Sequence, residues 1–252
     1  MRWECRPTLG GIEVERKGCR LAMLELTLVF VAGIWAGLQN ALAGGGSFVT
    51  LPVLILSGMS PLAANITSTV ALFPGQVTTG LAGRKFVSGV GEMPFRVLFV
   101  ISLAGGALGG WLLLVTPSEI FSQLVPWLVL FATVVFAWGN FGRKSTDVAA
   151  VRLGPAGIGI AQFFIAIYGG YFGGGIGFLM IAALTLAGMT TRAAAATKNV
   201  LAGVMNAAAV VIFATSPQVH WREACILGAG AILGGMMGAS ALHYVNEKAL
   251  RI

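Results

Sequence analysis

The sequence predicts an all-α polytopic membrane protein made of two homologous repeats. Each repeat holds four to five hydrophobic segments, among them a Gly-rich broken or re-entrant helix. Three observations carry this prediction. First, 57% of the 252 residues are hydrophobic and only 10% are charged, against roughly 25% charged in an ordinary soluble domain. Second, the charges cluster, leaving charge-free runs at 26–83, 97–118, 120–142, 153–191, 199–221 and 224–246. Each run is long enough to cross a hydrocarbon core about 30 Å thick at a helical rise of about 1.5 Å per residue. Third, the triplet Gly44-Gly45-Gly46 recurs as Gly173-Gly174-Gly175.

Residues 1–25 mix Arg2, Arg6, Arg16, Lys17 and Arg20 with Glu4, Glu13, Glu15 and Glu25. Without a long apolar core they read as a soluble N-terminal extension and not as a signal peptide. Met23, just before the apolar sequence, is the expected natural start. Residues 26–141 form the first membrane repeat. The run 26–83 is too long for one span, and its middle is the triplet followed by Ser47, Phe48 and a short apolar piece containing Pro52 and ending at Leu56. Three glycines cost about 1 kcal/mol each inside a helix, so the backbone is expected to break there, within the membrane. The piece after the break is either a re-entrant half-helix, giving parallel repeats, or a short crossing, giving inverted ones.

Residues 142–153 are a cytoplasmic linker and 154–252 the second repeat. At a fixed offset of 130, Phe48 matches Phe178, Leu54 Leu184, Gly58 Gly188, Met59 Met189, Ala63 Ala193, Ala64 Ala194, Thr67 Thr197 and Val70 Val200. Such self-similarity marks a duplication. With one residue of slippage, Gly105, Gly106 and Gly109 face Gly234, Gly235 and Gly238, where small residues at spacing four suit close helix packing. If the duplication is complete, a counterpart of 120–141 would follow residues 246–248, and the second repeat is expected to lack it. Arg84, Lys85 and Arg96, and then Arg143, Lys144 and Arg152, occupy loops that the positive-inside rule assigns to the cytoplasm. The net charge of +7 is therefore topology and not a nucleic-acid site. The chain is expected to be a multi-pass protein of the cell (inner) membrane.

No Asp or Glu falls inside a span, which disfavours a cation carrier. Cys5, Cys19 and Cys225 form no CxxC pair, and His220 and His243 read as residues at span ends. No metal or cofactor is expected. Intramembrane proteolysis lacks an Asp pair, GxSxG or HExxH, so the chain is not read as an enzyme. The most deeply placed basic residue is Lys198, flanked by Thr197 and Asn199, with Asn206 two turns on. Against a lysine that snorkels to the interface stands this polar company. Asn65, Thr67, Ser68 and Gln76 form the matching stretch, with Gln76 opposite Asn206 at the offset of 130. Two broken helices presenting free N–H groups, together with one lysine, describe an anion site. Its candidate residues are Gly44, Gly45, Gly46, Asn65, Thr67, Ser68, Gln76, Gly173, Gly174, Gly175, Thr197, Lys198, Asn199 and Asn206.

A glycine triplet, a following Phe, an apolar run with Pro52, a Gly-Met turn and Ala64-Asn65-Ile66-Thr67-Ser68, repeated as Ala194-Ala195-Ala196-Thr197-Lys198, resembles the TauE/SafE sulfite exporter family, also called the toluene sulfonate uptake permease family. Ala182 stands where the second repeat would carry the proline matching Pro52. The resemblance implies transport of sulfur-containing anions such as sulfite, thiosulfate or sulfonates. It also implies that Thr67-Ser68, Thr197-Lys198 and both triplets line the path. The expected partners are a small anionic substrate and the lipid bilayer, with no nucleic acid. An anion channel and a proton-coupled uptake permease are the alternatives.

Overall fold

The computed structural model describes residues 12–42, 44–141 and 154–244. It is all-helical over these residues: α1 (Ile12–Leu42), α2 (Ser47–Leu56), α3 (Pro61–Gly83), a 3₁₀ turn (Arg84–Phe86), α4 (Phe95–Val115), α5 (Ser118–Phe141), α6 (Pro155–Tyr171), α7 (Ile176–Leu186), α8 (Thr191–Phe213) and α9 (Trp221–Tyr244). Five helices contain stretches long and apolar enough to span a membrane: α1 from Met23, α4, α5, α8 and α9. The 23-residue α3 is not among them. Its Asn65, Thr67, Ser68, Thr69, Gln76, Thr78 and Thr79 lower its apolarity, and all but Gln76 and Thr78 are buried inside the protein. The linker basic residues Arg143, Lys144 and Arg152, residues 1–11 and residues 245–252 lie outside the described residues.

Helix directions follow from the close glycine contacts. Gly33 packs on Leu227, Gly37 on Ala231 and Gly238 on Ala41, so α1 and α9 run in the same sense. Gly75 against Ala231 and Gly228 against Ala71 align α3 with α9 in that sense too. Gly105 and Gly109 meet Ala166 and Ile167, and Gly106 and Gly110 meet Met205 and Ala209, so α4, α6 and α8 are mutually parallel. The two sets oppose each other, because Gly83 meets Ala196 and Gly80 meets Val200. A methyl group at most of these glycines would strike a neighbouring backbone, which is the close packing that small-residue spacing in a membrane helix allows.

Since α1 and α3 point the same way, α2 has to carry the chain back between them, and α7 does the same between α6 and α8. Gly37 and Gly75 both pack on Ala231, so α1 turns back at Gly44 about 10 Å beyond that level, before α9 ends at Tyr244. The α1–α2 hairpin therefore enters from one end of the bundle and the α6–α7 hairpin from the other. The simple choice between a re-entrant piece with parallel halves and a crossing piece with inverted halves does not hold. The hairpin turns back inside the bundle, and α3 and α8 are nevertheless antiparallel.

Both breaks are left-handed backbone: φ is +92° at Gly44, +89° at Gly45, +75° at Gly173 and +76° at Gly175. Side-chain-bearing residues avoid this region, which is why glycine holds these positions. Each short helix ends in a turn at Gly58 or Gly188, after which Ser60 Oγ or Thr190 Oγ1 accepts from the amide of Ala63 or Ala193 and caps the next helix.

Arg84, Lys85, Arg96 and Arg192 gather at one end of the bundle, with the Arg192 guanidinium 5.2 Å from the centre of the Phe86 ring. Glu119 and Glu223 lie in the first turns of α5 and α9 at the opposite end. His220 is exposed just before α9, and His243 falls in that helix's last turn.

Candidate functional site

The two breaks meet in the interior. Gly44 lies against Gly177, Phe178 covers Gly45, and Phe48 covers Gly175. The pairs 45/175 and 48/178 both differ by 130, so each short helix lays its phenylalanine on the other's glycine. Nearby, α3 and α8 cross, and Asn206 Nδ2 donates to Gln76 Oε1 at 2.7 Å.

Lys198 is 1% exposed. Its helix does not bring it to the bundle surface, so the snorkelling alternative is set aside. The ammonium donates to the carbonyl of Asn40 at 2.9 Å, and Asn199 Nδ2 donates to that of Ala41 at 3.3 Å. These carbonyls belong to the last turn of α1, where no intrahelical donor remains and the helix dipole presents its negative end. At the other bend the carbonyl of Tyr171, the last residue of α6, accepts from Asn65 Nδ2 at 3.1 Å. Positions 41 and 171 also differ by 130. Both interrupted helices are thus capped by an asparagine from a long neighbour, and one cap has a lysine beside it.

Between these groups lies a small cleft of about 20 Å³, room for roughly one water molecule. From α1 and its bend come Asn40 and Gly44; from α3, Gln76 and Thr79; from α8, Lys198, Asn199 and Ala202; from the second bend, Gly173, Ile176 and Gly177. The first amides of α7, those of Ile176 and Gly177, have no acceptor within their own helix and give this wall a donor character. Among the described residues no Asp or Glu lines the cleft, and no group of His, Cys, Asp or Glu is arranged to hold a metal ion.

Of the sequence-derived candidates, Gly44, Gln76, Gly173, Lys198 and Asn199 line this cleft, and Asn206 is bonded to its edge. The others stand apart from it. Ser68 Oγ is 2.6 Å from Thr50 Oγ1. Thr67 Oγ1 accepts from the amide of His220 at 3.1 Å, and Thr197 Oγ1 from that of Ser88 at 3.3 Å, so this pair anchors the loops before α9 and α4. Asn65 is occupied as a cap. The expectation that the Gly46 amide is an open donor is corrected, because that N–H is taken by Asn40 Oδ1 at 2.8 Å. Asn40 and Thr79 were missed. The residues at the offset of 130 from them are Gly170 and Ala209, so that offset gives no polar match to either; Asn40's one signal is its place in a charge-free run four residues before the triplet.

Apolar helices packed around a buried lysine and a carboxylate-free cleft define the class, a multi-pass α-helical membrane protein with a polar interior. Residues 29–252 match the family model described as Sulfite exporter TauE/SafE, and the chain belongs to that family of membrane transporters. It is 31% identical over 233 residues to a probable membrane transporter protein of Haemophilus influenzae, covering 90% of this chain and 88% of that protein. It is 30% identical over 242 residues to the probable membrane transporter protein ORF9 of a Sinorhizobium species, covering 92% and 87%. The probable membrane transporter protein YfcA of Escherichia coli K12 is 26% identical over 232 residues, covering 90% and 84%. No solved structure matches the chain.

Proposed function

We propose that this transporter is a carrier, not an enzyme, that exports small sulfur-containing anions such as sulfite, thiosulfate or sulfonates across the cell (inner) membrane. The observation that carries the reading is Lys198, an ammonium 1% exposed with no carboxylate ion-paired to it among the described residues. A buried ammonium costs about 2.5–3.5 kcal/mol even on the mildest membrane scales and is kept where it has a task. Here one of its three protons goes to the Asn40 carbonyl, and the others are left for an anion in the cleft. The smallness of that cleft favours a carrier that must change shape over an open channel.

The matched bounds of α3 and α8, the Ser60 and Thr190 caps, and the reciprocal Phe48 and Phe178 contacts support a duplicated architecture. The antiparallel sense of α3 and α8 supports reading its halves as inverted. With the basic end in the cytoplasm, the cleft lies on the cytoplasmic side of the bundle's middle. Inside-negative potential favours exit of anions by about 2.3 kcal/mol per charge per 100 mV, so a dianion gains about 5 kcal/mol without a coupling ion.

Purified protein in vesicles, given a panel of sulfite, thiosulfate, methanesulfonate and sulfate, tests the reading. Saturable flux of at least one sulfur anion, accelerated by the same anion on the far side, is the expected result. An absence of flux across the panel, or flux that does not saturate, would count against a carrier of this class.

A further inference from the structure

We infer that Asn40 is a substrate-orienting residue, whose carboxamide NH₂ donates to an oxygen of the bound anion beside the Lys198 ammonium. The inference rests on the anion-carrier reading above. Three polar groups of Asn40 are at issue. Its backbone carbonyl accepts from Lys198 Nζ at 2.9 Å. Its Oδ1 accepts from the amide of Gly46 at 2.8 Å. An N–H can only donate, so this bond fixes which end of the carboxamide is oxygen. The NH₂ that remains has no acceptor among the described residues, and Asn40 is one of the residues that line the cleft with Lys198.

Two consequences follow for the site. The bend after α1 spends its Gly46 amide on Asn40, whereas the position matching Asn40 before α7 is Gly170, which has no side chain to offer. The Ile176 amide at the start of α7 therefore has no such side-chain acceptor where the matching Gly46 amide does, and the two breaks differ at this one position despite their similar backbone. The anion's surroundings are then a point charge from Lys198, a directional donor from Asn40 and the N-terminal end of α7. A fixed donor beside a charge favours an anion with discrete oxygens over a featureless one.

The test is the concentration dependence of thiosulfate flux in vesicles for Asn40→Ala and Asn40→Asp, with sulfite and methanesulfonate run in parallel. Alanine removes donor and cap together. Aspartate keeps an acceptor for Gly46 N–H and removes the donor. The expected result is a KM raised about tenfold or more in both variants, the size of one hydrogen bond to a charged group, with the maximal rate within about twofold of the parent. An unchanged KM in Asn40→Ala overturns the inference. So does a parental KM in Asn40→Asp beside an impaired Asn40→Ala, since that pattern makes Asn40 a cap and nothing more. If Asn40→Ala does not fold, a parental KM in Asn40→Asp still overturns the inference, because that variant lacks the donor and also repels the anion. Failure of the parent protein to move any of the three anions is the separate outcome that removes the carrier reading, and this inference with it.

Discussion

Exchanging Lys198 for methionine separates the charge from the space it fills. The side chain is 1% exposed and donates at 2.9 Å to the Asn40 carbonyl, so both halves of the exchange have structural content. For binding, a unit anion about 4 Å from the ammonium gains about 4 kcal/mol at an effective dielectric constant near 20, a ceiling of nearly three orders of magnitude in affinity. For folding, the lost hydrogen bond costs about 1.5–3 kcal/mol, while removing a buried ammonium returns about 2.5–3.5 kcal/mol. On the proposed function, Lys198→Met is therefore expected to weaken affinity for the transported anion by about a hundredfold or more, with thermal stability within about 2 kcal/mol of the parent. Concentration-dependent flux in vesicles and thermal unfolding of the purified protein measure the two separately. Parental affinity in a folded Lys198→Met protein would refute the electrostatic reasoning; large destabilisation without loss of affinity would recast the lysine as a structural cap for α1.

Further outcomes follow from the fold. Gly175→Ala should destabilise by roughly 2–4 kcal/mol in equilibrium unfolding, because φ is +76° and a methyl would sit 2.8 Å from Ala132 Cβ and 3.1 Å from Phe48 Cζ. Asn206→Leu and Gln76→Leu, alone and together, should give a coupling of about 0.6 kcal/mol, the ordinary size of a hydrogen bond between membrane helices; a double-mutant cycle on thermal unfolding reads it. Cysteines placed at the exposed positions Arg84 and Glu119 should react with a membrane-impermeant thiol reagent from opposite sides of the membrane, Arg84→Cys from the cytoplasm; labelling of both from one side would contradict the bundle directions.

The reach of the sequence is clearest at particular residues. Charge-free runs marked the spans, because a charge in hydrocarbon is costly wherever its helix later packs. The glycine triplets marked the breaks, because left-handed backbone is a local demand that few other residues meet. Close packing at Gly105, Gly106 and Gly109 and at Gly234 and Gly235 was likewise readable from small residues at helical spacing. Thr67 and Thr197 were also found as a pair, but their hydroxyls hold loops at opposite ends of the bundle and not the cleft. Spacing along a helix says which face a residue takes, and not what stands opposite.

By itself, then, the sequence determined what depends on each segment alone: the all-helical class, the spans and the interrupted helices. The tertiary structure decided what depends on contacts between distant segments. It set the opposed directions of α3 and α8, brought Lys198 to a carbonyl 158 residues away, and placed Asn40 in the cleft while closing Gly46 to a ligand. The physical reason is that burial and backbone strain act within a few residues of chain, whereas a hydrogen-bond partner is chosen by how helices cross, which local composition does not specify.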